Sequence, residues 1–319
     1  MSEAGMPLVT AEGLSRCFGA VTAVGKINLT IERGETLALV GESGSGKTTL
    51  GRMLSLLLPP TAGTLSLAGT DVSQLKTRDL KPLRRNVQMI FQDPVSSLNP
   101  RHTIGAILTE PLANYRQGSR AERLDRAREL LDAVGMPPDT LDRYPHEFSG
   151  GQRQRITIAR ALALNPGFIV ADEPVSALDV SVQSQILNLL ADLKERFNLA
   201  YLFISHDLAV VHHIADRVAV MYLGNIVELA DRDQLFAAPK HPYTRALLDS
   251  VPMIQAGKRR TGRILSGDPP SPAEPPNGCH FHPRCPRASD LCRTEYPRLS
   301  PRHDTESHLI ACHHPETAS

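Results

Sequence analysis

The stretch Leu37-Ala38-Leu39-Val40-Gly41-Glu42-Ser43-Gly44-Ser45-Gly46-Lys47-Thr48-Thr49-Leu50 leaves few ways to fold the chain around it. Four apolar residues of strand length run into a glycine-rich turn, and the turn opens onto a helical pattern. Glycines let the backbone approach a ligand with no side chain in the way, so successive N–H groups point inward and cradle an anion. A helix starting near Lys47 adds its unpaired N–H groups and its dipole at the same place. The spacing is the phosphate-loop pattern G-x-x-x-x-G-K-[ST]. In it Lys47 reaches the β- and γ-phosphates of a nucleoside triphosphate, and the Thr48 hydroxyl completes a Mg²⁺ shell otherwise made of phosphate oxygens and waters. Gly41, Ser43, Gly44, Ser45, Gly46 and Thr49 make up the rest of the predicted cradle.

Further polar residues stand where buried strands end. Asn86 to Phe91 reads as a strand ending at Gln92, and Phe168-Ile169-Val170-Ala171 runs into Asp172-Glu173. Ala200 to Ser205 is a third strand, followed by His206. With an amphipathic helix over 182–197, strand, helix and strand form a βαβ unit of a parallel sheet, whose carboxyl edge is where ligands bind. Asp172 is suited to the Mg²⁺ shell, with Gln92 beside it. Glu173 is placed to polarise an attacking water, and His206 to touch the γ-phosphate. Ser149-Gly150-Gly151-Gln152 opens a second helix, hence a second anion cradle. The chain has one evident phosphate loop, so this cradle implies a second subunit that brings its own phosphate. Phe18, in a β-like stretch over 8–31, offers a flat ring for a purine to stack on.

The remainder fits around these sites. The helix from the phosphate loop is expected to continue through Leu57 and stop before Pro59-Pro60. Gly63 to Asp71 reads as a hairpin, Arg120 to Val134 as a helix capped by Gly135, and 93–165 as a helical insertion. Met221 to Glu228 reads as a closing hairpin, and Ser266 to Pro276 as a proline-rich linker. A boundary near 230–239 divides a nucleotide-binding domain, 1–235, from a C-terminal domain, 236–319. In these 319 residues a net charge of +1 gives no electrostatic pull toward nucleic acid. No apolar run reaches the length of a membrane span, and Met1 to Met6 lacks the features of a secretory leader, so a cytosolic setting is expected.

Taken in order, these motifs resemble the ATP-binding subunits of ABC transporters. The resemblance implies an α/β fold with a mixed sheet, an antiparallel β subdomain and a helical subdomain. It also implies ATP hydrolysis with Mg²⁺, and roles for each motif. Phe18 stacks on adenine, Gly41 to Thr48 is Walker A, and Gln92 is the Q-loop. Ser149-Gly150-Gly151-Gln152 is the signature, preceded by Phe148 where Leu is usual. Asp172 and Glu173 are Walker B with the catalytic base, Ser176-Ala177-Leu178-Asp179 is the D-loop, and His206 is the switch histidine. More narrowly, Tyr144-Pro145-His146-Glu147, His241-Pro242-Tyr243-Thr244-Arg245-Ala246-Leu247 and Cys279-His280-Phe281-His282-Pro283-Arg284-Cys285-Pro286 resemble the ATPases of bacterial oligopeptide, dipeptide and nickel importers. That likeness implies a related second ATPase subunit, two membrane permease subunits and an extracytoplasmic binding protein, with this chain on the cytoplasmic face of the inner membrane. The transported solute, peptide or nickel, is not readable from the chain. A soluble ABC ATPase outside transport is a competing reading, but such proteins usually carry tandem cassettes or a long coiled-coil insertion, and neither is present here.

Four of the five cysteines, Cys279, Cys285, Cys292 and Cys312, lie near the C-terminus amid His280, His282, His313 and His314. Four thiolates suit either tetrahedral zinc or an iron–sulfur cluster, and the spacing does not choose between them. The resemblance implies a [4Fe–4S] cluster on these four cysteines.

Overall fold

The computed structural model describes residues 6–250, 267–302 and 305–316. The leader reading at the first residues and the start of the linker at Ser266 fall outside them. Strands β1 (Val9–Phe18) and β2 (Val21–Ile31) form an antiparallel hairpin, and β3 (Thr36–Val40) leads into the phosphate loop and helix α1 (Lys47–Leu54). After β4 (Ala62–Leu67), β5 (Thr70–Asp71), α2 (Thr77–Arg84) and β6 (Val87–Ile90) the chain turns helical. There follow α3 (Pro94–Ser97), α4 (Ile104–Asn114), α5 (Arg120–Ala133) and α6 (Gly150–Leu162). The next elements are β7 (Phe168–Asp172), α7 (Val180–Phe197), β8 (Ala200–Ser205) and α8 (Leu208–Ile214). The chain then runs through β9 (Arg217–Tyr222), β10 (Asn225–Asp231), α9 (Arg232–Ala237) and α10 (Pro242–Asp249). Helix α11 (Asp290–Thr294) and strands β11 (Ser300–Arg302) and β12 (Thr305–Ile310) complete it.

Among the described residues these strands make two sheets, a small antiparallel one in the order β2-β1-β4-β5 and a mixed one in the order β11-β12-β10-β9-β3-β8-β7-β6. Strands β6, β7, β8, β3 and β9 run parallel, so their carboxyl ends share one edge. The period-2 alternation of a strand divides the interior between the two faces. Leu202 and Ile204 of β8, with Val170, Leu39 and Leu50, face the small sheet and α1. Tyr201 and Phe203, with Ile169, Ile156 and Ile186, face the helices. Ala38 and Val40 join a third cluster with Val220, Tyr222, Tyr243 and Phe281, so the end of β3 is packed against the C-terminal part of the chain.

Helix α1 lies close against β7 and β8 because Gly51 has no side chain; a Cβ there would stand 2.7 Å from the Ile204 Cδ1 methyl. The helix ends at Leu54, three residues before the expected Leu57. Leu56 takes a left-handed backbone (φ 61°), with its N–H on Met53 O and the Leu57 N–H on Arg52 O. Those are the paired bonds of a Schellman turn, made here without the usual glycine, so apolar spacing alone could not place the stop. Helix α5 ends as expected, with Gly135 at φ 68° and the Met136 N–H on Leu131 O.

Candidate active site

Parallel register brings the sequence-predicted residues together at the carboxyl edge. Val40 pairs with Ser205, and Asp172 with Ile204, so the phosphate loop, Asp172-Glu173 and His206 leave adjacent strands at the same level. Gln92, just beyond β6, joins them: its Nε2 donates to Glu173 Oε2 at 2.8 Å. The other carboxylate oxygen of Glu173 lies 3.1 Å from His206 Nδ1. Glu173 is thus gripped between two side chains from neighbouring strands. Its backbone is left-handed (φ 47°), held there by its N–H on Ile204 O at 3.0 Å. A non-glycine residue in that region is strained, and such strain concentrates at functional sites.

The loop itself is tightly constrained. A Cβ at Gly41 would meet Met221 O at 2.2 Å, and one at Gly46 (φ 103°) would meet Ala23 O at the same distance, so neither position accepts another residue without moving backbone. Lys47 folds back over the loop, its Nζ donating to Gly41 O at 2.8 Å and Glu42 O at 2.9 Å. Burial lowers the Lys47 pKa, partly offset by the carboxylates of Glu173, Asp172 and Glu42. Thr48 Oγ1 donates to Asp172 Oδ1 at 3.2 Å, and burial raises the Asp172 pKa against that bond. Ser45 carries a buried hydroxyl with no protein partner, at the centre of a cradle built for an anion. Ser43 and Gly44 are exposed.

Other expected residues lie apart from this cluster. Ser149 caps α6 in a reciprocal box, its Oγ accepting from Gln152 N at 3.4 Å while Gln152 Oε1 accepts from Ser149 N at 3.0 Å. This exposed helix start belongs to an element packed on β6, α3, α4, α5 and α7. Asp179 is exposed at the start of α7. Phe18 is 47% exposed at the tip of β1, with the Arg16 guanidinium 4.7 Å from its ring centre. Its ring therefore stands outside the core and is open to a partner.

Comparison with known proteins bears on the same residues. Residues 24–176 match the ABC transporter family, and residues 227–292 match the oligopeptide/dipeptide transporter C-terminal region. The chain is 55% identical over 310 residues to a Brucella ovis protein named as a peptide import ATP-binding protein, covering 96% of this chain and 97% of that one. The chain belongs to the ABC transporter family. It is also 52% identical over 301 residues to the oligopeptide transport ATP-binding protein AppF of Bacillus subtilis, covering 93% of this chain and 91% of that one. Among solved structures, CbiO1 of Clostridium perfringens, part of an ABC transporter complex, superposes with a TM-score of 0.67 at 26% identity, covering 72% of this chain and 91% of that one. The dimeric ATP-binding cassette MJ0796 with ADP and Pi gives 0.64 at 30% identity, covering 70% and 98%. The α/β fold expected of an ABC ATPase is therefore the fold observed, and the chain is an ATP hydrolase of that class.

The C-terminal region of this ABC ATPase touches the phosphate loop, which sequence reading missed. Arg284 donates from Nη1 to Glu42 Oε2 at 2.7 Å and from Nη2 to Glu42 Oε1 at 3.0 Å. Tyr243 Oη, on α10, accepts from Glu42 N at 2.9 Å. The pairing spans 242 positions, and no local spacing announces it; an acidic residue inside an anion cradle was the available signal.

The metal site expected on the cysteines is not borne out. Among the described residues no group of three or more His, Cys, Asp or Glu side chains is placed to hold a metal ion. Burial, with some help from neighbouring sulfurs, raises the Cys279 thiol to about 11 and the Cys312 thiol to about 12, and raises Cys285 as well. Cys279 and Cys285 pack against the Tyr222, Tyr243 and Phe281 cluster. The histidines are committed locally: His282 Nδ1 lies 2.9 Å from Cys279 O, His313 Nε2 3.0 Å from Glu295 O, and His314 Nε2 2.7 Å from Ser289 Oγ. A cysteine is both an apolar core residue and a ligand, and the pattern on its own did not distinguish the two.

Proposed function

We propose that this chain is the ATPase subunit of an importer for di- and oligopeptides. The observation that carries the reading is the match of residues 227–292 to the oligopeptide/dipeptide transporter C-terminal region, on a chain whose other half builds an ATP site. In this reading Lys47 and the loop N–H groups hold the β- and γ-phosphates, and Phe18 stacks on adenine. Glu173 takes the proton of the attacking water, while Gln92 and His206 hold its carboxylate in place. The Thr48 hydroxyl and the Asp172 carboxylate are hard oxygen donors and fit a Mg²⁺ ion, with Gln92 nearby; the ion would neutralise charge on the phosphates. Ser149 to Gln152, at the start of α6, serves the nucleotide of a related second ATPase, and Asp179, exposed at the start of α7, faces the same partner. ATP binding closes the pair and hydrolysis reopens it.

No helix among the described residues is long and apolar enough to cross a membrane. The chain works at the cytoplasmic face, against two permease subunits supplied from an extracytoplasmic binding protein. The groove between β6 and α4, with Leu57, Phe91, Tyr115 and Arg160 on its walls, is suited to receive a permease loop. The test is the assembled complex in liposomes with peptide-loaded binding protein. Loaded binding protein is expected to stimulate ATP hydrolysis, and Glu173→Gln to lower hydrolysis by about 100-fold or more while ATP is still bound. Stimulation by nickel-loaded binding protein but not by peptide would reject the peptide reading, and near-normal turnover in Glu173→Gln would reject the base assignment.

A further inference from the structure

We propose that Arg284 is a positioning residue for the phosphate loop: by gripping the Glu42 carboxylate it keeps that charge from opposing the phosphates, so the C-terminal region sets the loop's affinity for ATP. The inference rests on reading the loop as the ATP site. Every polar group of Glu42 is committed. Its N–H goes to Tyr243 Oη at 2.9 Å, its carbonyl takes Lys47 Nζ at 2.9 Å, and its carboxylate takes both arms of Arg284. Two of these three partners come from beyond β10, in the region matching the oligopeptide/dipeptide transporter C-terminal family.

A carboxylate is the wrong charge for the second position of an anion cradle. Left alone, Glu42 would repel the triphosphate and compete for Lys47. The Arg284 side chain is only 5% exposed and Glu42 is 26% exposed, so solvent screens the pair less than it would a surface pair. The two parallel N–H···O bonds fix the direction of the carboxylate, which a lysine's point charge would not. Tyr222 Oη, 3.5 Å from Arg284 Nη1, and the Tyr222, Tyr243 and Phe281 rings hold the arginine in its turn. Displacement of this C-terminal packing therefore reaches the loop through a single residue.

The experiment is calorimetric titration of the full chain with ATP and Mg²⁺, comparing wild type, Lys47→Ala, Glu42→Gln, Arg284→Ala and the double variant Glu42→Gln/Arg284→Ala, with thermal unfolding of each. Arg284→Ala is expected to weaken ATP binding roughly tenfold, because a negative charge is unmasked beside the phosphates. Glu42→Gln in the same chain is expected to recover affinity to within about threefold of wild type. An arginine that merely glues the C-terminal region down would lower the unfolding midpoint, and Glu42→Gln would not restore ATP affinity; that result overturns the inference. So does an unchanged affinity in Arg284→Ala. If Arg284→Ala does not fold, Arg284→Lys carries the test, with a smaller loss of affinity and the same rescue. Wild type that binds ATP no better than Lys47→Ala would reject the ATP-site reading itself, a separate failure.

Discussion

Asp172 shows at the scale of one residue how function opposes stability. Its side chain is buried at the end of β7, with the Thr48 hydroxyl as a hydrogen-bond donor, and burial raises its pKa above the ordinary carboxylate range. A folded-state pKa above the unfolded one means that the fold favours the protonated form. The stability this contributes is fully present below the unfolded pKa and is lost as pH rises through the folded one. At neutral pH the carboxylate is therefore held ionised at a cost, offset when a cation and phosphates arrive. Asp172→Asn, which keeps the shape and can still accept from Thr48, is expected to raise the unfolding midpoint of the nucleotide-free chain by roughly a few degrees at pH 7. The gain should shrink as pH falls through the raised pKa toward the usual carboxylate range, while ATP hydrolysis is lost. Melting curves of both proteins across that range check it; a gain that grows on acidification would give the shift the opposite sign.

At the scale of elements, the legible features were those with a local signature. Gly41 to Thr48, Asp172-Glu173 and His206 each follow an apolar run of strand length, and parallel pairing then brings them to one edge without further information. Strand neighbours were less readable. That β9 lies beside β3, and that β12 extends the sheet beyond β10, depend on contacts between distant segments with no periodicity to betray them. The start of α6 was legible as a glycine-containing helix N-terminus, but its capping box and its packing were not. A Cβ on Gly151 would stand 2.5 Å from Val182 Cγ1 on α7, so the glycine sets how closely α6 and α7 approach. Gly151→Ala must push the stiff valine aside, and is expected to destabilise the chain by about 1–3 kcal/mol in denaturant unfolding. An unchanged midpoint would mean that α7 shifts freely against α6.

Across the whole molecule, a buried carboxylate ties the last strands to the ATP site. Glu228 of β10 has no solvent exposure, and it accepts from Lys240 N at 2.7 Å and His241 N at 2.9 Å while lying 2.7 Å from His308 Nε2 on β12. His241, driven by burial to a pKa of about 4, is neutral, so its Nδ1 is free to accept from Tyr243 N at 3.1 Å. Glu228 thereby sets the start of α10, α10 sets Tyr243, and Tyr243 meets the N–H of Glu42. In Glu228→Gln one of the two oxygens becomes an amide nitrogen, and whichever way the amide turns, it faces an N–H donor with a donor. The loss should be about 2–4 kcal/mol, the scale for a buried charged acceptor whose partners are left unsatisfied. Because the same carboxylate supports the path to Glu42, ATP affinity should fall together with the unfolding midpoint, and early proteolysis should fall within the C-terminal region before the sheet. Reduced stability with unaltered ATP affinity would show instead that the C-terminal strands are held independently of the loop.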